Sequence, residues 1–422
     1  MLNIRLLREQ PDFVMERLRI KNFDSADIIH KINELDRVRR NSQTELDTIL
    51  SEQNVLSKEI GALMKSGKKS EADIAKNSVA ALKEQSKKVE ETMNSSTEEL
   101  NDLLVQLPNL PHSSVPSGRG AEENEIVKEW GDIPKLTDAI PHWELAKKYD
   151  IIDFDLGVKL TGAGFPVYKG KGARIQRALI SYFLDMNTKA GYTEVQPPLM
   201  VNEASGFGTG QLPDKGEQMY HVGIDNFYLI PTAEVPVTNI FRDVILSSSE
   251  LPVKVTAYTP CFRREAGSYG KDVRGLNRLH QFDKVEIVQI AHPDSSYAAL
   301  EVMVSHVEEL VKSLGLPYRI LRLCGGDMSF TSALTYDFEV YSAAQQRWLE
   351  VSSVSNFESF QSNRLKLRYK DESGKPVLAH TLNGSSLALP RILAALLENY
   401  QTPEGIKIPE VLREYCGFNI ID

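Results

Sequence analysis

Apolar residues recur at alternating spacings of four and three over residues 28–63 and again over 75–107. The first track consists of Ile28, Ile32, Leu35, Leu46, Ile49, Leu56, Ile60 and Leu63, with Arg39, Ser42 and Gln53 in its remaining slots. The second track consists of Ala75, Val79, Leu82, Val89, Met93, Leu100, Leu103 and Leu107, with Ser86 and Ser96 as polar members. Glycine and charge interrupt the pattern over KSGKKSEAD at 65–73. Two heptad tracks around a short break predict an antiparallel coiled-coil hairpin over about 27–107.

The role of such a hairpin is left open by its pattern. Each helix would hold ~35–40 residues and would span ~50–60 Å. Most heptad segments join protein to protein, so a dimerisation or spacer coil is the commoner interpretation. Prolines 108, 111 and 116, with serines and glycines around them, predict an irregular linker over 107–123. We therefore expect an N-terminal domain at 1–113 and a larger domain at 114–422.

The larger domain alternates between helical and strand patterns without strict βαβ order. Helical patterns cover 142–149, 173–188 and 294–315, and strand patterns cover 318–323, 334–341 and 348–354. In the strand that precedes Ile290, residues Phe282, Lys284, Glu286 and Val288 fall on one face. Many strands with a few flanking helices predict an α+β fold with a mixed, mainly antiparallel sheet.

Composition narrows the class of protein. The 422 residues suit two or three domains, and the net charge of −9 weighs against a basic nucleic-acid binder, so an RNA partner would have to meet local basic patches. The sequence contains no run of about 18 apolar residues, so it predicts no membrane span. The N-terminus is charged where a signal peptide would have an apolar run. The scattered Cys261, Cys324 and Cys416 fit a reducing, cytoplasmic compartment and offer no CxxC metal site.

Candidate chemistry is concentrated over residues 259–290. Arg263, Arg264 and Glu265 end one predicted strand, and Phe282 and Glu286 lie on the next. An arginine fork suits phosphate or carboxylate oxygens, and an aromatic side chain can stack on a flat ring. The stretch is consistent with an anion bound beside a base. A charged surface hairpin explains this stretch, taken alone, about as well.

Further stretches carry a resemblance to a known family. The segment CFRREAGSYGKDVRGLNRLHQFDKVE at 261–286 resembles motif 2 of the class II aminoacyl-tRNA synthetases, and TLNGSSLALPR at 381–391 resembles their motif 3. GYTEVQPP, from Gly191 to Pro198, resembles motif 1, the dimerisation element. Together with the triplet TAE at 232–234 and the long N-terminal arm, the sequence resembles seryl-tRNA synthetases over essentially its whole length.

The resemblance implies a two-step reaction and its partners. The carboxylate of L-serine would attack the α-phosphorus of ATP, giving seryl-adenylate and pyrophosphate. A terminal ribose hydroxyl of tRNA(Ser) would then take the seryl group, and whether tRNA(Sec) is also charged stays open. The resemblance further implies that the arm contacts the long variable arm of the tRNA, and that the chain forms a homodimer through the region 191–198.

The family's functional residues map onto particular positions of this chain. Arg263 and Arg391 would be the catalytic pair, with Arg263 bridging the α-phosphate and the serine carboxylate, and Arg391 reaching the γ-phosphate. The implied ATP-binding set is Arg263, Arg264, Glu265, Phe282, Glu350, Val351, Ser352, Ser353 and Arg391. Within it, Glu350 and Ser353 would bind Mg²⁺, which prefers hard oxygen ligands. The implied serine-binding set is Thr232, Ala233, Glu234, Arg263, Glu286, Asn383 and Ser385.

Two other functions are open at this point. A related ligase that charges a carrier protein would keep the catalytic domain but would lack the long arm. A non-enzymatic coiled-coil scaffold would explain residues 27–107. It would leave the segments TAE, FRRE and EVSS and the motif around Arg391 unexplained.

Overall fold

The computed structural model describes residues 1–214, 216–265 and 274–422. Its helices are α1 (Ile4–Glu9), α2 (Pro11–Ile20), α3 (Ala26–Lys65), α4 (Lys69–Leu104), α5 (His142–Lys148), α6 (Phe154–Leu160), α7 (Gly170–Lys189), α8 (Glu203–Thr209), α9 (Glu234–Asn239), α10 (Ser296–Ser313), α11 (Phe360–Leu365), α12 (Leu389–Asn399) and α13 (Glu410–Cys416). In the ranges just given, no helix is both long and apolar enough to cross a membrane.

In the described part of the chain, every strand lies after residue 124. They are β1 (Glu125–Trp130), β2 (Ile152–Asp153), β3 (Val167–Tyr168), β4 (Thr193–Glu194), β5 (Met200–Asn202), β6 (His221–Val222), β7 (Phe227–Leu229), β8 (Ile245–Ser247), β9 (Val253–Phe262), β10 (Gln281–Ala291), β11 (Tyr318–Arg322), β12 (Leu334–Ser342), β13 (Arg347–Asn356), β14 (Arg368–Lys370), β15 (Pro376–Leu378), β16 (His380–Ala388), β17 (Gln401–Thr402), β18 (Gly405–Lys407) and β19 (Ile420–Ile421). The chain forms two compact units, one of residues 2–19 and 23–108, and one of residue 1, 20–22 and 109–422.

The smaller unit is built around the helix pair α3 and α4. These helices hold 40 and 36 residues and pack against one another, as the two heptad tracks predict. At about 1.5 Å per residue they are ~54–60 Å long. Leu46 and Ile49 are buried in the seam, and the amide of Gln53 donates a hydrogen bond of 3.3 Å across it to the hydroxyl of Ser86. Two polar members of the tracks are therefore partners.

The predicted register of the seam is wrong at its base. Ile29 and Asp36 are buried there, whereas the predicted Ile28 and Leu35 are half-buried, because α3 contacts α1 at this end as well as α4. The carboxylate of Asp36 accepts hydrogen bonds from Arg8 (3.1 Å), Arg39 (2.8 Å) and Arg40 (3.0 Å). Burial would raise the pKa of Asp36, but these arginines outweigh it and lower that pKa.

The register also differs at the C-terminal end of α4. Leu104 is buried where the track predicts Leu103, and α4 ends at Leu104, so the predicted Leu107 lies beyond it. Within the predicted linker, residues 107–120 contain no helix or strand, and Ala121–Glu123 form a 3-10 helix. The side-chain amide of Asn109 nevertheless donates to the carbonyls of Thr331 (2.9 Å) and Phe357 (2.8 Å), which fixes the linker locally. The division between residues 113 and 114 stays a prediction.

The larger unit is organised by a sheet with the strand order β1-β11-β12-β13-β16-β10-β9-β4. Every neighbouring pair is antiparallel except β4 and β9, which are parallel. This confirms the predicted mixed, mainly antiparallel sheet. The main core lies between this sheet and helices α7, α10 and α12, with Phe183, Phe338 and Leu393 fully buried in it.

Candidate active site

One cavity of about 680 Å³ lies where strands β10, β13 and β16 meet the start of α12. Most of the residues implied by the family motifs line it, namely Thr232, Glu234, Arg263, Glu265, Phe282, Glu286, Glu350, Val351, Ser352, Ser353, Asn383, Ser385 and Arg391. Arg263 and Arg391 therefore share one cavity although they come from distant parts of the chain. Residues 266–273, the middle of the motif 2 stretch, lie outside the described residues.

The strand pairing explains why these side chains meet. β10 pairs with β9 on one edge and with β16 on the other, which places Phe282 opposite Cys261 and Glu286 opposite Ser385. Successive side chains of a strand point to opposite faces, so Phe282, Lys284 and Glu286 lie on the cavity side together. The alternation in the sequence predicted this face.

The two arginines are already held by protein groups. The guanidinium of Arg263 lies 5.2 Å from the ring centre of Phe282, and its Nε donates to the carbonyl of Pro231 (3.2 Å). Nε of Arg391 donates to the carbonyl of Asn277 (3.0 Å), and its Nη1 donates to the carbonyl of Glu350 (2.8 Å). Both side chains therefore enter the cavity from fixed positions.

Glu265 has a partner that sequence reasoning missed. Its carboxylate forms an ion pair with Arg278, which also lines the cavity. Arg278 lies within the motif 2 stretch, and a basic residue three positions before β10 was the available signal. An acid–base pair at this wall can offer both a donor and an acceptor to a polar ring edge.

Oxygen ligands gather at the β12–β13 side of the cavity. The hydroxyl of Ser353 donates to Glu350 at 3.5 Å, and Asp337 lies opposite Ser353 in the strand pairing. Asp337 is buried, and its Oδ1 has no hydrogen-bond partner among the described residues. Burial, and then repulsion from Glu350, raise the pKa of Asp337 well above its usual range. A hard divalent cation would suit these groups.

The protein's own ligand set for such a cation is partial. Among residues 1–214, 216–265 and 274–422, no group of three or more His, Cys, Asp and Glu side chains could hold a metal ion. Mg²⁺ usually keeps several ligands from water or phosphate and takes one or two protein carboxylates, so Glu350, Ser353 and Asp337 fit that pattern. Asp337 was not foreseen from the sequence.

A buried charged cluster occupies the other end of the cavity. Nζ of Lys284 lies 2.5 Å from Oε2 of Glu286 and donates to the hydroxyl of Thr232 at 2.9 Å. The Thr232 hydroxyl in turn donates to Glu286 at 3.2 Å. Lys284 is only 6% exposed and was missed, although its position between Phe282 and Glu286 on one strand face was the available signal.

Glu234 closes this cluster from α9. Nε2 of Gln361 donates to its carboxylate at 2.6 Å, and the Gln361 side-chain oxygen accepts a bond from Thr381 at 2.7 Å. Burial, and then repulsion from Glu286, raise the pKa of Glu234 to about 7, against the opposing effects of Gln361 and Lys284. This carboxyl can therefore change its protonation state near neutral pH.

Two of the implied residues lie elsewhere. Arg264 lines a separate cavity together with Glu203 and Glu217, and its backbone N–H donates to the carbonyl of Gln218 at 2.8 Å. Ala233 is fully buried in a small apolar cluster with Val237 and does not line the first cavity. The ATP contact of Arg264 and the serine contact of Ala233 thus remain predictions from the resemblance alone.

Two family models match this chain. Residues 220–400 match the family described as tRNA synthetase class II core domain (G, H, P, S and T), and residues 1–111 match the seryl-tRNA synthetase N-terminal domain. A curated serine–tRNA ligase of Salinibacter ruber is 52% identical over 421 residues, which is 99% of this chain and 98% of the relative.

Two solved structures extend the likeness to the whole fold. The crystal structure of seryl-tRNA synthetase from Pyrococcus horikoshii complexed with ATP has a TM-score of 0.93 and 31% identity, and covers 100% of this chain and 99% of its own. Cytoplasmic serine–tRNA ligase from Naegleria fowleri in complex with AMP has a TM-score of 0.88 and 28% identity over 100% and 99%. The carrier-protein ligase and the scaffold gain no support. The chain belongs to the seryl-tRNA synthetase family of class II aminoacyl-tRNA synthetases.

Proposed function

We propose that this chain activates L-serine with ATP in the cavity described above and transfers the seryl group to the 3′ end of tRNA(Ser). One observation carries the assignment of the site. Arg263 and Arg391 line the same cavity as Glu286 and Glu350. The two guanidinium groups therefore lie between the buried cluster around Glu286 and the oxygen atoms of Glu350 and Ser353. This layout suits an amino acid and a triphosphate bound side by side.

The first step needs placement and charge neutralisation. The serine carboxylate is already a nucleophile, so no general base is required. A carboxylate oxygen forms a bond to the α-phosphorus, the bond from that phosphorus to the bridging oxygen breaks, and pyrophosphate leaves with the electron pair. Arg263 binds both the carboxylate and the α-phosphate, and Arg391 binds the γ-phosphate. Glu265 and Phe282 hold the adenine.

Glu350 and Ser353 would hold Mg²⁺, with the buried carboxyl of Asp337 behind them. The ion would supply positive charge to the phosphate oxygens when bound. Its presence would also favour the ionised form of Asp337, whose pKa is raised in the protein alone. The protein residues themselves fix where the phosphates can lie.

Serine recognition belongs to the buried cluster. Glu234 and Thr232 would receive the α-ammonium group, and Glu286 would accept the substrate hydroxyl, with Asn383 and Ser385 beside it. These side chains line the cavity, and all five residues are buried. Alanine has no hydroxyl to donate to Oε1 of Glu286, whose Oε2 keeps its contacts with Lys284 and Thr232, so we expect alanine to be rejected by a factor of up to ~10⁴.

Serine binding should release a proton near neutral pH. Below the raised pKa of about 7, Glu234 is protonated, and the arriving ammonium group favours its ionised form. Serine affinity should therefore rise as the pH increases from about 6 to about 8. Calorimetric titration at about pH 6.5 in buffers with different ionisation enthalpies measures this release. Glu234→Gln is the control that should remove it, and a binding heat independent of buffer would contradict the role of Glu234.

The experiment for the overall function is serine-dependent exchange of pyrophosphate into ATP, followed by charging of purified tRNAs. Exchange with charging supports the proposal. The absence of exchange would favour the scaffold, and exchange without charging would favour a carrier-protein ligase. The same charging assay, run with tRNA(Sec), decides whether that tRNA is also a substrate.

Arg263→Lys should lower the exchange rate about a hundredfold, because a lysine cannot bridge two anions with a planar fork. Arg264→Lys is the informative neighbour, since its side chain lines the separate cavity. A similar loss in Arg264→Lys would support the ATP contact implied by the resemblance. Exchange near the wild-type rate in Arg263→Lys would refute the role of Arg263.

The proposal also includes a homodimer and a cytoplasmic location. We place the homodimer contact around residues 191–198, supported by the edge position of β4 and by Leu199 and Met200, which are 37% and 49% exposed. Sedimentation velocity giving a monomer at micromolar concentration would exclude it. The cytoplasmic setting is supported by the three cysteines, all of which are free thiols.

A further inference from the structure

A fully buried acid–imidazole pair lies outside the cavity. His142 begins α5 and Glu398 lies near the end of α12, and both side chains are 0% exposed. Nδ1 of His142 is 2.7 Å from Oε1 of Glu398, and the backbone N–H of His142 donates to the same oxygen at 2.9 Å. Burial would raise the pKa of Glu398, but these contacts with His142 outweigh it and lower that pKa. The mechanism proposed above does not use this pair.

The second ring nitrogen of His142 binds the backbone at Leu276, just before β10. The backbone N–H of Leu276 donates to Nε2 at 2.8 Å, so Nε2 is an acceptor and the proton lies on Nδ1, toward Glu398. Gly275, with a φ of +65°, lies so close to the ring that an added Cβ atom would be 2.3 Å from Nε2. The imidazole and the backbone are thus fitted closely to each other.

The two residues that follow His142 contact Arg274, which lies two positions before Leu276. The guanidinium of Arg274 lies 4.7 Å from the ring centre of Trp143, and its Nη2 is 3.4 Å from Oε1 of Glu144. We call residues 274–277 the return segment. Three consecutive residues of α5 therefore contact three consecutive residues of the return segment, which is more than a single buried pair needs.

A second path runs from Glu398 to Asn277. Nε2 of Gln345 donates to Oε1 of Glu398 at 3.2 Å, and the side-chain amide of Asn277 donates to Gln345 at 2.8 Å. Glu398 also accepts from the hydroxyl of Ser342 and from the N–H of Ala344 (3.3 Å), which fixes the turn that carries Gln345. The return segment is thus held through its backbone at Leu276 and through its side chain at Asn277.

This network ends at Arg391. The carbonyl of Asn277 accepts the bond from Nε of Arg391, and Arg391 lies on α12, about two turns before Glu398. Helix α12 therefore carries both Arg391 and Glu398, and Glu398 holds Asn277, the residue that binds Arg391. An arginine held in one orientation loses less freedom when it binds a phosphate than one that is free in water.

We propose that His142, Gln345 and Glu398 are positioning residues that set Arg391, through the return segment, for the terminal phosphate of ATP. The inference rests on the proposed function, because that function assigns Arg391 to the γ-phosphate. The network stabilises the fold as well, so its test must measure something that a merely structural role would leave unchanged. That quantity is ATP affinity, compared with and without Arg391.

The test is calorimetric titration of the full-length protein with MgATP, in the absence of serine. Gln345→Ala leaves the His142–Glu398 pair intact, and Gln345 is only half-buried, so folding should survive. We expect ATP to bind about fivefold more weakly to Gln345→Ala and about tenfold more weakly to His142→Ala. His142→Gln, which can offer an oxygen to the Leu276 N–H, should recover part of the loss. Gln346→Asn, an exposed neighbour with a φ of +52°, should bind as the wild type.

A double-mutant cycle separates the possibilities. In an Arg391→Ala background, adding Gln345→Ala should weaken ATP binding by less than about twofold, because the two changes act through the same contact. Full weakening in both backgrounds would overturn the inference, and so would a folded Gln345→Ala protein with wild-type affinity. If Arg391→Ala alone left ATP affinity unchanged, the proposed role of Arg391 would fail instead, so the two failures are distinguishable.

Discussion

Glu286→Ala should lower serine-dependent pyrophosphate exchange about a thousandfold, while ATP affinity stays within about twofold of the wild type. The substrate hydroxyl would lose its acceptor, and the enzyme's preference for serine over alanine would fall with it. The carboxylate is 2% exposed, so water cannot easily replace it. The measurement is the exchange rate with serine and with alanine, beside an ATP titration.

The control for this variant addresses Lys284. The ammonium group of Lys284 would lose its nearby counter-charge, and that loss alone could distort the pocket. The double variant Glu286→Ala with Lys284→Met removes both charges together. If serine discrimination stays lost in the double variant, the hydroxyl contact is the cause. An undiminished preference for serine in Glu286→Ala would refute the assignment.

Deletion of residues 35–100 should abolish tRNA charging, by at least about a thousandfold, and leave adenylate formation within about twofold of the wild type. The described residues that line the cavity all lie outside this range, so the first step should not need it. A fall of that size is expected because the deletion removes the arm that, by the family resemblance, would contact the tRNA, together with basic side chains such as Lys65, Lys68 and Lys69 that could bind its phosphates. The measurements are pyrophosphate exchange and charging of tRNA(Ser) on the same preparation.

The two ends of this deletion lie on paired helices. Lys31 and Glu99 form an ion pair between α3 and α4 next to the cut, so the two helices lie side by side there. A short Gly-Ser connection can therefore link residue 34 to residue 101. A control variant replaces Lys65, Lys68 and Lys69 with alanine and keeps the rest of the arm. Its loss of tRNA charging measures the effect of the positive charge at the turn, apart from the effect of removing the arm. Equal loss of both activities in a folded deletion would count against a tRNA role.

The sequence could predict much of the site because its residues sit in local patterns. The alternation along β10 predicted that Phe282 and Glu286 lie on one face, and the resemblance of residues 381–391 to motif 3 implied a second anion-binding group at Arg391. The pattern could not show that Asp337 would lie opposite Ser353, since strand pairing decides that contact. The bonds of His142 to Glu398 and Leu276 were likewise invisible, because they join residues far apart in the chain.

The arm shows the same limit on a smaller scale. A heptad track assumes that a helix has one partner along its whole length. At its base α3 also packs against α1, so Asp36 is buried among arginines from both helices, in a place where the pattern expects Leu35. Further out, where α4 alone faces α3, the predicted seam and the buried side chains coincide.

The helix pair also has a consequence for how these proteins diversify. A seam that repeats every seven residues keeps its facing sides when one heptad is added to or removed from each helix at the same level. Such a change lengthens or shortens the hairpin by about 10 Å and touches no residue of the catalytic cavity. The length of the hairpin can therefore change by paired insertion or deletion while the residues that line the cavity stay the same.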